Sequence, residues 1–174
     1  MTHRIATVVL ALTFLAFNVE AAQATVDSEQ TEAMTSALGQ SLSEIVPTVF
    51  QSPRATSLDG YGIVVTAEVG LAPPRNPFSS AVSPEEVRRS SLERIEAIKV
   101  STVELLRTHG AGLESVAANQ HVTIIVYMVN PNPVDLPNLA SQLVISVRKQ
   151  DALDLGSATI SSSTFAERVS IRED

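Results

Sequence analysis

There is no cysteine anywhere in the 174-residue chain. That absence excludes disulfide staples, cysteine-ligated zinc, thiol catalysis and a lipid anchor built on a cysteine behind an export signal. Small exported folds with little core lean on disulfides, so this chain must be held by apolar burial, by a partner, or by both. Lysine is scarce as well: of 12 basic residues only Lys99 and Lys149 are lysine, a bias of genomic base composition rather than function. Nor do the cations cluster. Arg88-Arg89 is the nearest approach to a patch, it lies in a Glu-rich segment, and the net charge is −7. Nucleic acid and anionic membrane surfaces are bound through grouped Lys and Arg, so neither is an expected partner.

The reactive motifs are missing too. No His-x-x-x-His, no paired His and carboxylate and no Asp-x-Asp-x-Asp loop occurs, so no metal site is expected. Asp151 and Asp154, three apart, read as solvated surface. The runs Ser79-Ser80, Ser90-Ser91 and Ser161-Ser162-Ser163 lie in no Gly-x-Ser-x-Gly elbow and read as loop and cap residues. Gly60-Tyr61-Gly62 precedes a strand and Gly110-Ala111-Gly112 follows a helix, the wrong order for a phosphate-cradling loop. No cofactor and no catalytic residue is expected.

What is present starts at the amino terminus. Arg4, the apolar residues 5–17 and Ala22-Gln23-Ala24 have the form of an export signal, with cleavage expected between Ala24 and Thr25. A bilayer-spanning helix needs about 20 apolar residues, and this run stops at Asn18 and Glu20. The mature chain is then a periplasmic or secreted protein of about 150 residues with no stable membrane insertion, a size that buries one core. Residues 1–24 are read as the signal, 25–169 as one globular domain, and 170–174 as a charged, frayed tail.

Within the domain, Met34, Leu38, Leu42, Ile45, Val46 and Val49 recur at helical spacing behind a cap at Asp27 or Ser28, and Pro47 ends the helix. Residues 55–69 are strand-like around Leu58-Asp59-Gly60, where Asp-Gly signals either a tight hairpin or a glycine bulge. Pro73, Pro74 and Pro77 mark an exposed connection. Ser83-Pro84-Glu85-Glu86 then opens a long helix as N-cap, first-turn proline and capping-box acid, with His109 in a cationic last turn and Gly110 as C-cap. Residues 121–129 form an apolar central strand that Asn130-Pro131-Asn132-Pro133 stops, and residues 142–148 alternate like a strand nearer an edge. Short helical segments follow at residues 151–155 and 161–169, the second with Phe165 inward. The strand, helix, strand order makes residues 63–69 and 121–129 parallel neighbours. The expectation is an α+β domain: a small mixed sheet of three or four strands, with the long helix on one face and the amino-terminal helix on the other.

These pieces, the strand Leu58-Asp59-Gly60-Tyr61-Gly62-Ile63-Val64-Val65, a long helix, an apolar strand and an ending through Leu143–Arg148 and Phe165–Val169, resemble a group of exported bacterial proteins of uncharacterised function. The resemblance implies an envelope location and no particular activity.

Tyrosine between two glycines on a strand can seal the rim of the core or present its ring to a ligand. His121 opens a strand. Asp59, Tyr61 and His121 are therefore the candidate binding residues. The expected function is non-enzymatic: a binding or assembly module of the bacterial envelope with a protein or peptide partner. The alternative is an envelope hydrolase or small-ligand-binding enzyme with its site near Asp59, Tyr61 and His121.

Overall fold

Local chemistry at the helix ends sets where each element begins in the computed structural model, which describes residues 29–72, 83–129 and 139–174. The expected signal, the caps at Asp27 and Ser28 and the proline-rich connections lie outside those residues. Helix α1 runs Glu29–Ile45 and ends just before Pro47. Helix α2, Pro84–His109, starts as its sequence requires: Ser83 sits in extended geometry and its hydroxyl accepts from the Glu86 N–H. Two short helices, α3 at Lys149–Gly156 and α4 at Ser162–Arg168, follow late in the chain. Ser161 caps α4 by accepting from the Thr164 N–H, and Phe165 is fully buried.

Five strands build one mixed sheet in sequence order: β1 (Thr48–Leu58), β2 (Gly62–Gly70), β3 (His121–Val129), β4 (Gln142–Arg148) and β5 (Ser170–Glu173). Among the described residues only β2 and β3 are parallel, in the register Ile63 with Val122 through Val69 with Met128, as the crossover through α2 demands. The fold is α+β with a long central helix, and β5 takes the sheet one strand beyond the expected three or four. Strand β1 begins well before Ala55, because register shifts between Val49 and Gln51 and between Gln51 and Arg54 interrupt the alternation that marks a strand. The sequence 170–174, expected to fray, pairs instead with β4: Ser170 lies opposite Ser146, and Gln142 and Asp174 exchange backbone hydrogen bonds. Lys99 on α2 reaches Glu173 at 2.5 Å and ties that edge to the helical layer.

Both long helices cover the same face. The Ser41 and Ser101 hydroxyls bond one another between α1 and α2, and Met34, Leu38 and Leu42 share one core with Ile95, Ile98, Val65, Ile124 and Ile145. The expectation of helices on opposite faces is corrected by the strands themselves. Ile63, Val65, Ala67 and Val69 alternate with the less buried Val64, Thr66 and Glu68, and Tyr127 on β3 is 43% exposed. One helical layer therefore satisfies the sheet, and among the described residues no helix packs on the second face. No helix among the described residues is long and apolar enough to cross a membrane.

Gly110 caps α2 as expected, its N–H donating to Leu106 O, but without the left-handed conformation usual for a glycine cap. Gly110 stays right-handed at φ −57° and continues into a short 3-10 turn, Gly110–Gly112. A side chain from elsewhere binds the carbonyls of this turn: Lys149 Nζ donates to Gly110 O at 2.9 Å, Ala111 O at 2.7 Å and Leu113 O at 2.9 Å, the last of which also accepts the Val116 N–H. All three ammonium protons are used on a residue only 4% exposed. Burial pushes the Lys149 pKa down from the ordinary lysine value, while the nearby Glu114 carboxylate opposes that shift. The φ of Gly110 does not call for glycine; a Cβ there would lie 3.1 Å from the Ala152 Cβ, close enough that α3 would have to shift by a few tenths of an ångström.

Two substitutions on this framework are expected to act in opposite directions. Lys149→Met removes the ammonium that donates to the Gly110, Ala111 and Leu113 carbonyls and should cost about 2–3 kcal/mol, read as a lower urea midpoint. Thr102→Val removes a buried hydroxyl that has no hydrogen-bond partner among the described residues and should raise stability by about 1 kcal/mol in the same assay.

Candidate functional site

One end of the sheet collects the chemistry. β2, β3 and β5 start there, and β1 and β4 finish there, so Leu58, Gly62, His121 and Arg148 form one cross-strand row. The β1–β2 connection is a four-residue turn in which the Tyr61 N–H donates to Leu58 O at 3.0 Å. Gly60 takes the third position at φ +73°, where an L side chain is strained. The hairpin and the special glycine thus coexist. Gly62 is required more stringently: its φ is +126°, and a Cβ there would lie 2.1 Å from His121 O.

That close approach joins two of the three candidate residues. His121 donates its backbone N–H to Tyr61 O at 2.7 Å, and the two rings stack with centroids 5.3 Å apart and planes 18° from parallel. The Tyr61 hydroxyl shares a 2.7 Å hydrogen bond with Thr123 Oγ1, one step along β3 on the same face. Tyr61 is 39% exposed, so its ring lies over the sheet rather than inside the core. Asp59 does not join them. It sits exposed in the turn, and its carboxylate has no hydrogen bond or ion pair among the described residues.

His121 instead faces residues that the motif search passed over. An open cleft of about 420 Å³ is lined by His121, Ser146, Val147, Arg148, Asp151, Arg168 and Ser170. Arg148 comes from the end of β4, opposite His121, and its side chain is exposed without an ion-pair partner among the described residues. Arg168 comes from the last turn of α4 and is held by Asp151 Oδ1 at 2.6 Å, with Asp154 Oδ2 at 3.8 Å. Ser146 and Ser170 face one another across β4 and β5. The lining sets two guanidinium groups, one imidazole and two hydroxyls against a single carboxylate.

Chemically this set can hold an anionic group. It offers hydrogen-bond donors from three strands and from α4, while the Tyr61 hydroxyl and Asp151 carboxylate are already engaged. Among the described residues no three His, Asp or Glu side chains gather closely enough to hold a metal ion. Asp151 and Asp154, read from sequence as solvated, serve Arg168. Arg148, Arg168 and Ser170 carried no local signal, because they meet only through the pairing of β3 with β4 and β4 with β5. The alternation of β4 with His121 at the head of β3 was the available clue to Arg148. Comparison with protein families, curated proteins and solved structures returns no match.

The two glycines of the turn should differ sharply on substitution. Gly60→Ala meets open space and pays only for its positive φ, about 1 kcal/mol. Gly62→Ala must push β2 away from His121 O and should cost about 3 kcal/mol or more. Urea unfolding of the two variants side by side checks the difference, and the Gly62 variant should also lose the Tyr61–His121 ring contact by NMR.

Proposed function

We propose that this protein is a non-enzymatic binding or assembly module of the bacterial envelope, exported to the periplasm or beyond, which holds a protein or peptide partner or an envelope component. The observation that carries this reading is the cleft at the end of the sheet. A holding role is supported by Arg168 in its lining, which Asp151 braces, and by the neighbouring Tyr61 hydroxyl, which Thr123 engages. Turnover needs a nucleophile or general base aimed at a reacting atom with a third group orienting it. The hydrolase alternative gains support from the Tyr61–His121 stack. It loses support because Asp59 stands apart in the turn. The export signal read in residues 1–24 supports the envelope as the place of action.

Site-directed photocrosslinking in intact cells tests the reading. A photoreactive residue at Arg148, in the cleft, is expected to give a discrete adduct in the envelope fraction. The same residue at Val100, which is 71% exposed on α2, is expected to give none. Adducts of equal yield at both positions, or fractionation of the full-length chain with the cytoplasm, would contradict it.

A further inference from the structure

We propose that the cleft is a site for a phosphate group, so that the partner or envelope component of the reading above is recognised through a phosphate monoester. This inference rests on that reading and names the chemistry of its ligand. The donors come from different directions: Arg148 from the end of β4, Arg168 from the end of α4, Ser146 and Ser170 from adjoining strands, and His121 from the head of β3. A planar carboxylate is satisfied by one guanidinium fork. Donors converging from several elements instead suit a tetrahedral group with three accepting oxygens.

Charge and rigidity favour the same ligand. The chain carries a net charge of −7, yet the cleft lining has two arginines against one aspartate; Asp154 adds a second carboxylate 3.8 Å from Arg168, so the unneutralised charge facing a ligand is that of Arg148. Asp151 engages Nη1 of Arg168, and a guanidinium has five N–H donors, so Arg168 keeps donors for a ligand while its position is fixed. Arg148 has no such neutralising partner among the described residues. His121 is fixed by its stack on Tyr61 and by the close packing of Gly62. A volume of about 420 Å³ accommodates a phosphate together with part of the molecule that bears it, and lies within the usual range for small-ligand sites.

The test is an NMR titration of the purified protein with inorganic phosphate, glycerol phosphate and acetate at constant ionic strength. Saturable shifts are expected for the amides of His121, residues 146–151 and residues 168–170. Arg148→Gln should weaken phosphate binding about tenfold or more, the loss of one charge-assisted pair, while Arg54→Gln on β1 should leave it unchanged. Glycerol phosphate binding at least as tightly as inorganic phosphate upholds the monoester site, and binding of inorganic phosphate without glycerol phosphate overturns it. Acetate binding as tightly as phosphate, or shifts that do not saturate or that ignore Arg148→Gln, overturn it. A discrete cellular crosslink at position 148 without phosphate binding would remove the phosphate assignment and leave the binding module standing.

Discussion

The ammonium of Lys149 holds the junction on which the rest of this fold converges. A 26-residue helix runs on into a 3-10 turn, where its own backbone hydrogen-bond ladder stops. The usual remedy is a glycine in the left-handed conformation, and here a lysine from the first turn of α3 supplies three hydrogen bonds instead. The backbone beside it closes the same junction: Lys149 N–H donates to Gln120 O and Gln150 N–H to Ala118 O. The end of α2, the approach to β3 and the exit from β4 are thereby drawn to one point.

That point fixes what stands on the other side. Side chains alternate along a strand, so the residue before the buried lysine, Arg148, points away from the helical layer and into the cleft opposite His121. The neighbouring wall is set in a comparable way, since Lys99 pairs with Glu173 and Glu96 and both carboxylates raise its pKa. The first of these pairs ties the Glu173 end of β5 to α2, while strand pairing sets Ser170 opposite Ser146. A chain with only two lysines places both at joints between layers. Their scarcity reflects composition, but their positions are structural.

How much of this could be read in advance depended on whether the causes were local. The start of α2 was legible because Ser83, Pro84 and Glu86 interact within one turn, and the inward Phe165 of α4 followed from a short amphipathic segment behind a serine cap. The parallel pairing of β2 and β3 followed from connection geometry. The beginning of β1 was hidden by its register shifts and by Pro53, which packs against Gly39 of α1. β5 was hidden because four exposed residues carry no periodic pattern. At the site, Tyr61 and His121 were singled out and do meet, whereas Asp59 was singled out and stays apart. Arg148, Asp151, Arg168 and Ser170 were missed because they are neighbours only through strand register and helix docking.

Residue-resolved native-state hydrogen exchange tests most directly whether the cleft stands on the rigid junction made by Lys149. The account predicts that the Lys149 and Gln150 amides, bonded to Gln120 O and Ala118 O, exchange only through the global unfolding that also releases Ile124 in the centre of β3. Exchange of Lys149 and Gln150 through a local opening that leaves Ile124 protected would contradict it.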